Sequence, residues 1–175
     1  GFNVGNLIGE SDLLNYQFTS SSEFDRLEAH AASYIAPLPW RHILTLYGSY
    51  ADSEVSEAGL DIGGESYQLG LQYAVPLPEP QFMRMQHETF AGFEWKKSDT
   101  DVQFGRIRLA DTTTELGQWL MGYRTRVPDL LGETAGELAF FYSPGGIFDH
   151  ATNHEYEAVR DGADTEYFYA HLEAD

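Results

Sequence analysis

The chain of 175 residues carries 10 Lys+Arg against 28 Asp+Glu, a formal net charge of −18, with 14% aromatic residues and no cysteine. Its length suits one domain of about 100–200 residues. The missing thiols exclude disulfides, thiol catalysis and thiolate metal sites, and the acidic balance excludes a phosphate-binding nucleic-acid surface.

The ring content is too high for a disordered acidic chain. No run approaches the roughly 18 apolar residues of a transmembrane helix, a criterion that does not reach membrane β-barrels. The first residue is Gly1 with no basic, apolar leader behind it, which reads as a mature or excised segment.

Successive side chains of a strand point to opposite faces, and period-two alternation recurs about eight times along the chain. Residues 1–6 read as the tail of a first strand, and 8–12 as a turn. Residues 12–20 then set Leu14, Tyr16 and Phe18 against Asn15, Gln17 and Thr19. Residues 27–36 set Leu27, Ala29, Ala31 and Ile35 against Glu28, His30 and Tyr34, with the first group expected on the apolar face. In 41–52, Leu44, Leu46, Gly48 and Tyr50 oppose Thr45, Tyr47 and Ser49. The cleanest segment is 66–73: Tyr67, Leu69, Leu71 and Tyr73 against Ser66, Gln68, Gly70 and Gln72.

Residues 82–96 place Met83, Met85, Phe93 and Trp95 opposite Arg84, Gln86, Glu88 and Glu94. Residues 112–126 place Trp119, Met121 and Tyr123 opposite Gln118 and Arg124, and here Leu116 and Leu120 break the pattern. Residues 132–143 set Leu138, Phe140 and Tyr142 against Glu137. The last segment, 164–174, sets Phe168, Ala170 and Leu172 against Tyr167, Tyr169, His171 and Glu173.

These segments run about 9–15 residues, longer than the usual soluble strand and close to a tilted membrane-spanning one. The predicted fold class is all-β: an antiparallel up-and-down meander of about eight complete strands, part of a larger transmembrane β-barrel. Short proline-rich connections at 37–39, 76–80 and 127–129 alternate with polar stretches at 21–25, 53–63, 97–111 and 144–163, read as long loops. Tight turns on one rim and long loops on the other fit such a barrel. Trp40, Tyr73 and Trp95 fall near strand ends, where interfacial rings belong.

The run Gly5-Asn6-Leu7-Ile8-Gly9-Glu10-Ser11-Asp12-Leu13-Leu14-Asn15-Tyr16 resembles the "DN-x-x-G-x-x-D-x-L-x-x-x-Y" turn of the hemolysin secretion/activation proteins. These are the outer-membrane transporters of two-partner secretion, within the BamA-like superfamily. Tyr34-Ile35-Ala36-Pro37-Leu38-Pro39-Trp40 is similar to that family's "Y-x-x-P-L-P-W/G" turn. Gly64-Glu65-Ser66-Tyr67 with Tyr73-Ala74-Val75-Pro76-Leu77 resembles one of its strands, and Glu155-Tyr156-Glu157-Ala158-Val159-Arg160 with Tyr167-Phe168-Tyr169 a loop and strand near mid-barrel. Glu10 and Ser11 depart from the Gly or Asn usual before the aspartate.

The resemblance implies a barrel of about sixteen strands, preceded by periplasmic POTRA domains, through whose lumen a client polypeptide threads. On that reading residues 1–175 are a single barrel segment, without the POTRA domains, the first strand and the last strands. Val159-Arg160-Asp161-Gly162 is only superficially like the family's "V-R-G-Y/F" lumen motif, in the wrong place and order, so that motif's role is not carried over.

Gln68, Gln72, Arg84, Glu88, Gln118, Arg124, Glu137, His171 and Glu173 are the lumen-facing candidates, since a wet lumen holds polar groups at little cost. Leu14, Tyr16, Phe18, Leu44, Leu46, Leu69, Leu71, Phe93, Trp119, Phe140, Phe168 and Leu172 are the lipid-facing candidates. The expected partners are outer-membrane lipid and a secreted polypeptide, with no nucleic acid, in the bacterial outer membrane.

No catalytic residue, cofactor or metal is expected. His150 and His154 have a zinc-like spacing but stand in a loop-like stretch. His87 and Glu88 must face opposite sides and cannot converge as acid and base. Asp99, Asp101 and Asp111 lack a calcium-loop pattern. No G-x-S-x-G, P-loop or dinucleotide fingerprint occurs.

Two other readings accommodate the same alternation. One is a soluble up-and-down barrel that turns its apolar face inward around an apolar ligand; the other is a passive porin without a dedicated client.

Overall fold

A computed structural model describes residues 1–8, 11–21, 27–57, 60–80, 84–104, 107–128, 132–148, 151–152, 156–157, 162 and 164–174. Nine strands form one sheet in chain order, every neighbour antiparallel. They are β1 (Phe2–Gly5), β2 (Leu13–Ser20), β3 (Leu27–Pro37), β4 (Ile43–Glu57), β5 (Leu60–Pro76), β6 (Gln86–Phe104), β7 (Ile107–Pro128), β8 (Glu133–Pro144) and β9 (Glu166–Ala174). The all-β meander read from the alternation is the observed fold, and the tail at residues 1–6 is β1.

The rims differ from expectation. The stretches 53–63 and 97–111 are not long loops: β4 and β5 are joined by residues 58–59, and β6 and β7 by residues 105–106. Residues 21–26 and 145–165 do separate β2 from β3 and β8 from β9, as expected, and the proline-rim connections span 38–42, 77–85 and 129–132. Strand length also differs, with β7 reaching 22 residues. Alternation of apolar and polar residues signals a strand only where one face is buried; the distal halves of β4–β7 are mostly polar, with an apolar row at Val55, Ile62 and Val102 near their tips, and their ladder hydrogen bonds need no buried face. A bulge between Val102 and Gln103 shifts the β6–β7 register near the tip.

Two of the quoted motifs are physically one structure. Asn6 adopts φ 59° and Ser11 φ 63°, the amide N–H of Ser11 donates to Asn6 Oδ1 at 3.0 Å, and the Asn6 N–H donates to the Asp12 carbonyl at 2.8 Å. The buried Asp12 carboxylate accepts from the Ile8 N–H and, at 2.8 Å, from the Tyr34 hydroxyl. Short polar side chains bonding the local backbone are what make such a turn. At the other turn, Arg41 has φ 69° between the bonds Leu38 N–H to His42 C=O and Arg41 N–H to Leu38 C=O.

The burial is inverted relative to a soluble sheet. Residues directly opposite in the registers share a face, and by this rule Gly70, Ala74, Phe90, Gln118, Leu120, Ala139 and Ser143, all buried, lie on the face that carries the glutamines and glutamates. The other face leaves Leu69 53%, Trp119 54% and Met121 60% exposed. Leu120 broke the sequence pattern because it belongs to the polar face, in a small apolar layer with Ala74, Phe90 and Ala139, against Ile43 and Phe141.

Candidate functional site

The polar face is organised in rows that cross the sheet. Asn15 of β2, Ser33 of β3, Tyr47 of β4, Gly70 of β5, Glu94 of β6 and Gln118 of β7 are successive register partners, and Ser143 pairs with Tyr167 at the far side. Asn15 Nδ2 donates to Ser33 Oγ at 3.1 Å. The Tyr47 ring lies over Gly70, in the space a Cβ there would occupy, and its hydroxyl donates to Glu94 Oε1. Glu94 Oε2 accepts from Gln118 Nε2 at 2.6 Å and from Lys96 Nζ at 3.0 Å. The Tyr167 hydroxyl donates to Gln118 Oε1 at 2.7 Å. Glu94, with its side chain 12% exposed, is therefore fully engaged, as an enclosed carboxylate must be.

Toward the proline rim the apolar layer of Phe90 and Leu120 intervenes, and then a charged row follows. There Arg124 spans Glu88 (Nη1 to Oε1, 2.9 Å) and Glu137 (Nε to Oε2, 2.7 Å), with its guanidinium 5.0 Å from the Phe90 ring centroid. Arg124→Gln should cost about 1 kcal/mol in low salt, the scale of a partly exposed bridged arginine. The loss should shrink when the chemical titration is repeated in about 1 M salt, because screening weakens the pairs it removes. A cost unchanged by salt would mean that packing on Phe90 is what Arg124 contributes.

The opposite face is an apolar belt with sharp margins. On β5 it runs from Val75 through Tyr73, Leu71 and Leu69 to Tyr67, then gives way to Glu65 and Asp61. Eight intervals at about 3.4 Å make about 27 Å along the strand. A tilt of about 40° reduces this to roughly 21 Å, near the apolar band of membrane barrels. Beyond the margin, Glu28, Asp52, Glu65 and Asp99 form one continuous register row. Trp95 marks the margin from the middle of β6, not from a strand end as expected, because β6 continues nine residues beyond it to Phe104. Phe148 covers Gly117 on this face and meets Trp95 edge-on at 6.3 Å between centroids. At the proline rim Tyr73 accepts from Trp40 Nε1 at 2.9 Å and bonds His42 Nδ1 at 2.5 Å, while Tyr123 bonds His87 Nδ1 at 3.0 Å.

Each residue singled out from sequence has a definite place. Gln68, Gln72, Glu88, Gln118, Arg124, Glu137, His171 and Glu173 share the polar face by register. Arg84 precedes β6, in the connection, and lies on neither strand face. Leu14, Tyr16, Phe18, Leu44, Leu46, Leu69, Leu71, Phe93, Trp119, Phe140, Phe168 and Leu172 all share the other face.

Strand β3 reverses the expectation. Leu27, Ala29, Ala31 and Ile35 lie on the polar face, opposite Ser53, Ala51, Ser49 and Thr45, while Glu28, His30 and Tyr34 lie on the belt side. His30 joins that side's rings, bonded to the Tyr16 hydroxyl at 2.7 Å and 4.9 Å from the Phe18 centroid. Side-chain hydropathy misassigned the strand because alanines carry little preference and its polar residues cap the belt.

His87 and Glu88 face opposite sides, and Asp101 stands directly opposite Asp111. His150, His154 and the run 158–161 lie outside the described residues; among the described residues no group of His, Asp and Glu is arranged to hold a metal ion.

The fold and its faces define an up-and-down antiparallel sheet with one polar and one apolar face. No protein-family model matches the chain, and no curated protein matches it. Among solved structures, CdiB from Escherichia coli is similar at a TM-score of 0.78 with 16% sequence identity, covering 98% of this chain and 32% of that chain. The chain thus spans about a third of the length of that protein and shares its fold over that span.

Proposed function

We propose that the chain is a segment of an outer-membrane β-barrel translocator that secretes a partner polypeptide. One observation carries this reading: the Leu/Phe/Trp face is the exposed one and the Gln/Glu/Arg face the enclosed one. Water offers nothing to a bare belt of that height, whereas hydrocarbon does. A soluble barrel around an apolar ligand requires the reverse burial. On this reading Gln68, Gln72, Glu88, Gln118, Arg124, Glu137, His171 and Glu173 line the lumen, with the belt residues against lipid.

The likeness to CdiB, a two-partner secretion transporter, supports export over passive permeation, as do the motifs at residues 5–16 and 34–40. The full-length protein, with POTRA domains ahead of the barrel, then passes an unfolded client through the lumen.

The full-length protein should require detergent to remain monodisperse and should fractionate with outer membranes. Deleting its gene should remove a polypeptide from the culture medium. A detergent-free monodisperse protein defeats the membrane reading, and an unchanged set of secreted polypeptides defeats export while leaving a porin.

A further inference from the structure

Resting on the export reading above, we infer that the exported polypeptide follows one wall of the lumen, a furrow floored by β3, and is held there through its backbone amides and not by charge. The polar face divides into two sectors. On β6–β9 every strand places charge on it: Glu94 on β6, Arg124 on β7, Glu137 on β8 and Glu173 on β9. On β1–β5 the described strand residues of this face are uncharged, apart from Glu57 at the distal end of β4.

The sectors also differ in what their polar groups are engaged with. Glu94 takes Gln118 and Lys96, and Arg124 takes Glu88 and Glu137, so the charged sector is closed on itself. Gln17, Ser49, Gln68 and Gln72 form no side-chain hydrogen bond among the described residues, and Asn15 has a single one, to Ser33.

The furrow follows from side-chain size. Ala31 of β3 stands between Gln17 of β2 and Ser49 of β4, and Ala29, two residues along, stands between Thr19 and Ala51. A cavity of about 640 Å³ lies over this floor, reaching Asn3 of β1 on one side and Gln68 of β5 on the other. The alanines that concealed the orientation of β3 in the sequence are what give this wall its depth.

The chemistry of the wall selects its occupant. A carboxamide carries donor and acceptor together, as a hydroxyl does, and nearly every residue of an extended polypeptide offers one N–H and one C=O whatever its side chain. A charged solute finds no countercharge in the furrow, and an apolar one leaves its amides unbonded. A sugar finds no ring to stack on: Tyr47, the aromatic residue on this face among the described strand residues of β1–β5, lies over Gly70 and bonds Glu94. Passage through a pore needs several weak contacts, not one strong one, and a strip of neutral hydrogen bonds supplies them.

The test uses the full-length protein reconstituted in vesicles and, as probe, an unstructured Gly/Ser/Asn peptide with one cysteine. The 175 residues contain no cysteine, so each substitution supplies the sole thiol of this wall. Disulfide trapping should join the peptide to Ala31→Cys and Ser49→Cys about tenfold more than to His171→Cys, an exposed position in the charged sector, as one or two neutral hydrogen bonds allow. Methylating alternate backbone nitrogens of the peptide removes donors without adding charge, and should bring the yield at Ala31→Cys down to that at His171→Cys. Raising the salt to about 1 M should leave the preference unchanged, and excess maltohexaose should not compete. In the unmodified protein, current blocks by the peptide in a planar bilayer should shorten on the same methylation.

Equal trapping at the three positions overturns the inference, as does a preference that survives methylation or is abolished by salt or by the sugar. Blocks of equal length for the two peptides overturn it as well. Trapping at His171→Cys without trapping at Ala31→Cys sinks the furrow alone and leaves export standing. Absence of trapping at all three positions, in variants whose heat-dependent gel migration shows normal insertion, sinks the export reading together with it.

Discussion

Leu69→Arg should destabilise the full-length protein by about 2–4 kcal/mol in a chemical titration of folding into vesicles, whereas its neighbour Gln68→Arg should change stability by no more than about 0.5 kcal/mol. The two positions are adjacent in the chain and opposite in the sheet. Leu69 stands on the belt, one position along its face from the central Leu71, between Gly48 and Trp95, and is 53% exposed. A guanidinium there must leave water for hydrocarbon, and its direct register partners Gly48 and Trp95 offer it no hydrogen-bond acceptor. Gln68 lies between Ser49 and Lys96 on the polar face. An arginine at that position keeps its hydration, and the nearby Lys96 is already neutralised by Glu94. Comparable losses at the two positions would remove the assignment of faces and everything that follows from it.

The belt was legible because its residues obey two rules at once: they alternate, and their partners across each register are also apolar. Leu46, Leu71, Phe93, Trp119, Tyr142 and Phe168 are consecutive partners across six strands, and each strand announces its share independently. The turn at Asn6 and Asp12 was legible for another reason, since few residue types can hold such a backbone.

What escaped the sequence is what depends on neighbours. The face of β3 could not be fixed by Ala29, Ala31 and Ala32; only pairing with β2 and β4 sets it. The distal halves of β4–β7 lack a one-sided pattern, so they resembled loops. Leu120 looked like an error, although it completes an apolar layer assembled from β5, β6, β7 and β8. The row from Tyr47 to Tyr167 joins residues up to 49 positions apart in one contact. One clue to it was present: Gly70 interrupts the otherwise well-filled run 66–73 of β5, and a strand glycine often marks the close approach of another group.

That glycine supplies the second large effect. Gly70→Ala should cost about 2 kcal/mol, although alanine ordinarily stabilises a strand relative to glycine by about 0.5–1 kcal/mol. The sign reverses because the new methyl takes the volume of the Tyr47 ring. Once displaced, Tyr47 loses its hydrogen bond to the Glu94 carboxylate, an interaction with a charged acceptor worth about 1.5–3 kcal/mol.

In a Tyr47→Ala background the ring is gone, so Gly70→Ala should become neutral or stabilising, giving a coupling energy of about 2–3 kcal/mol. Gly136→Ala is the control: its nearest neighbour beyond the adjoining residues is Thr125 Cγ2 at 3.5 Å, ordinary contact distance, so it should show only the backbone gain. If Gly70→Ala costs the same with and without the tyrosine ring, the strain lies in the β5 backbone. The stitch from β4 across β5 to β6 then contributes nothing to holding the wall together.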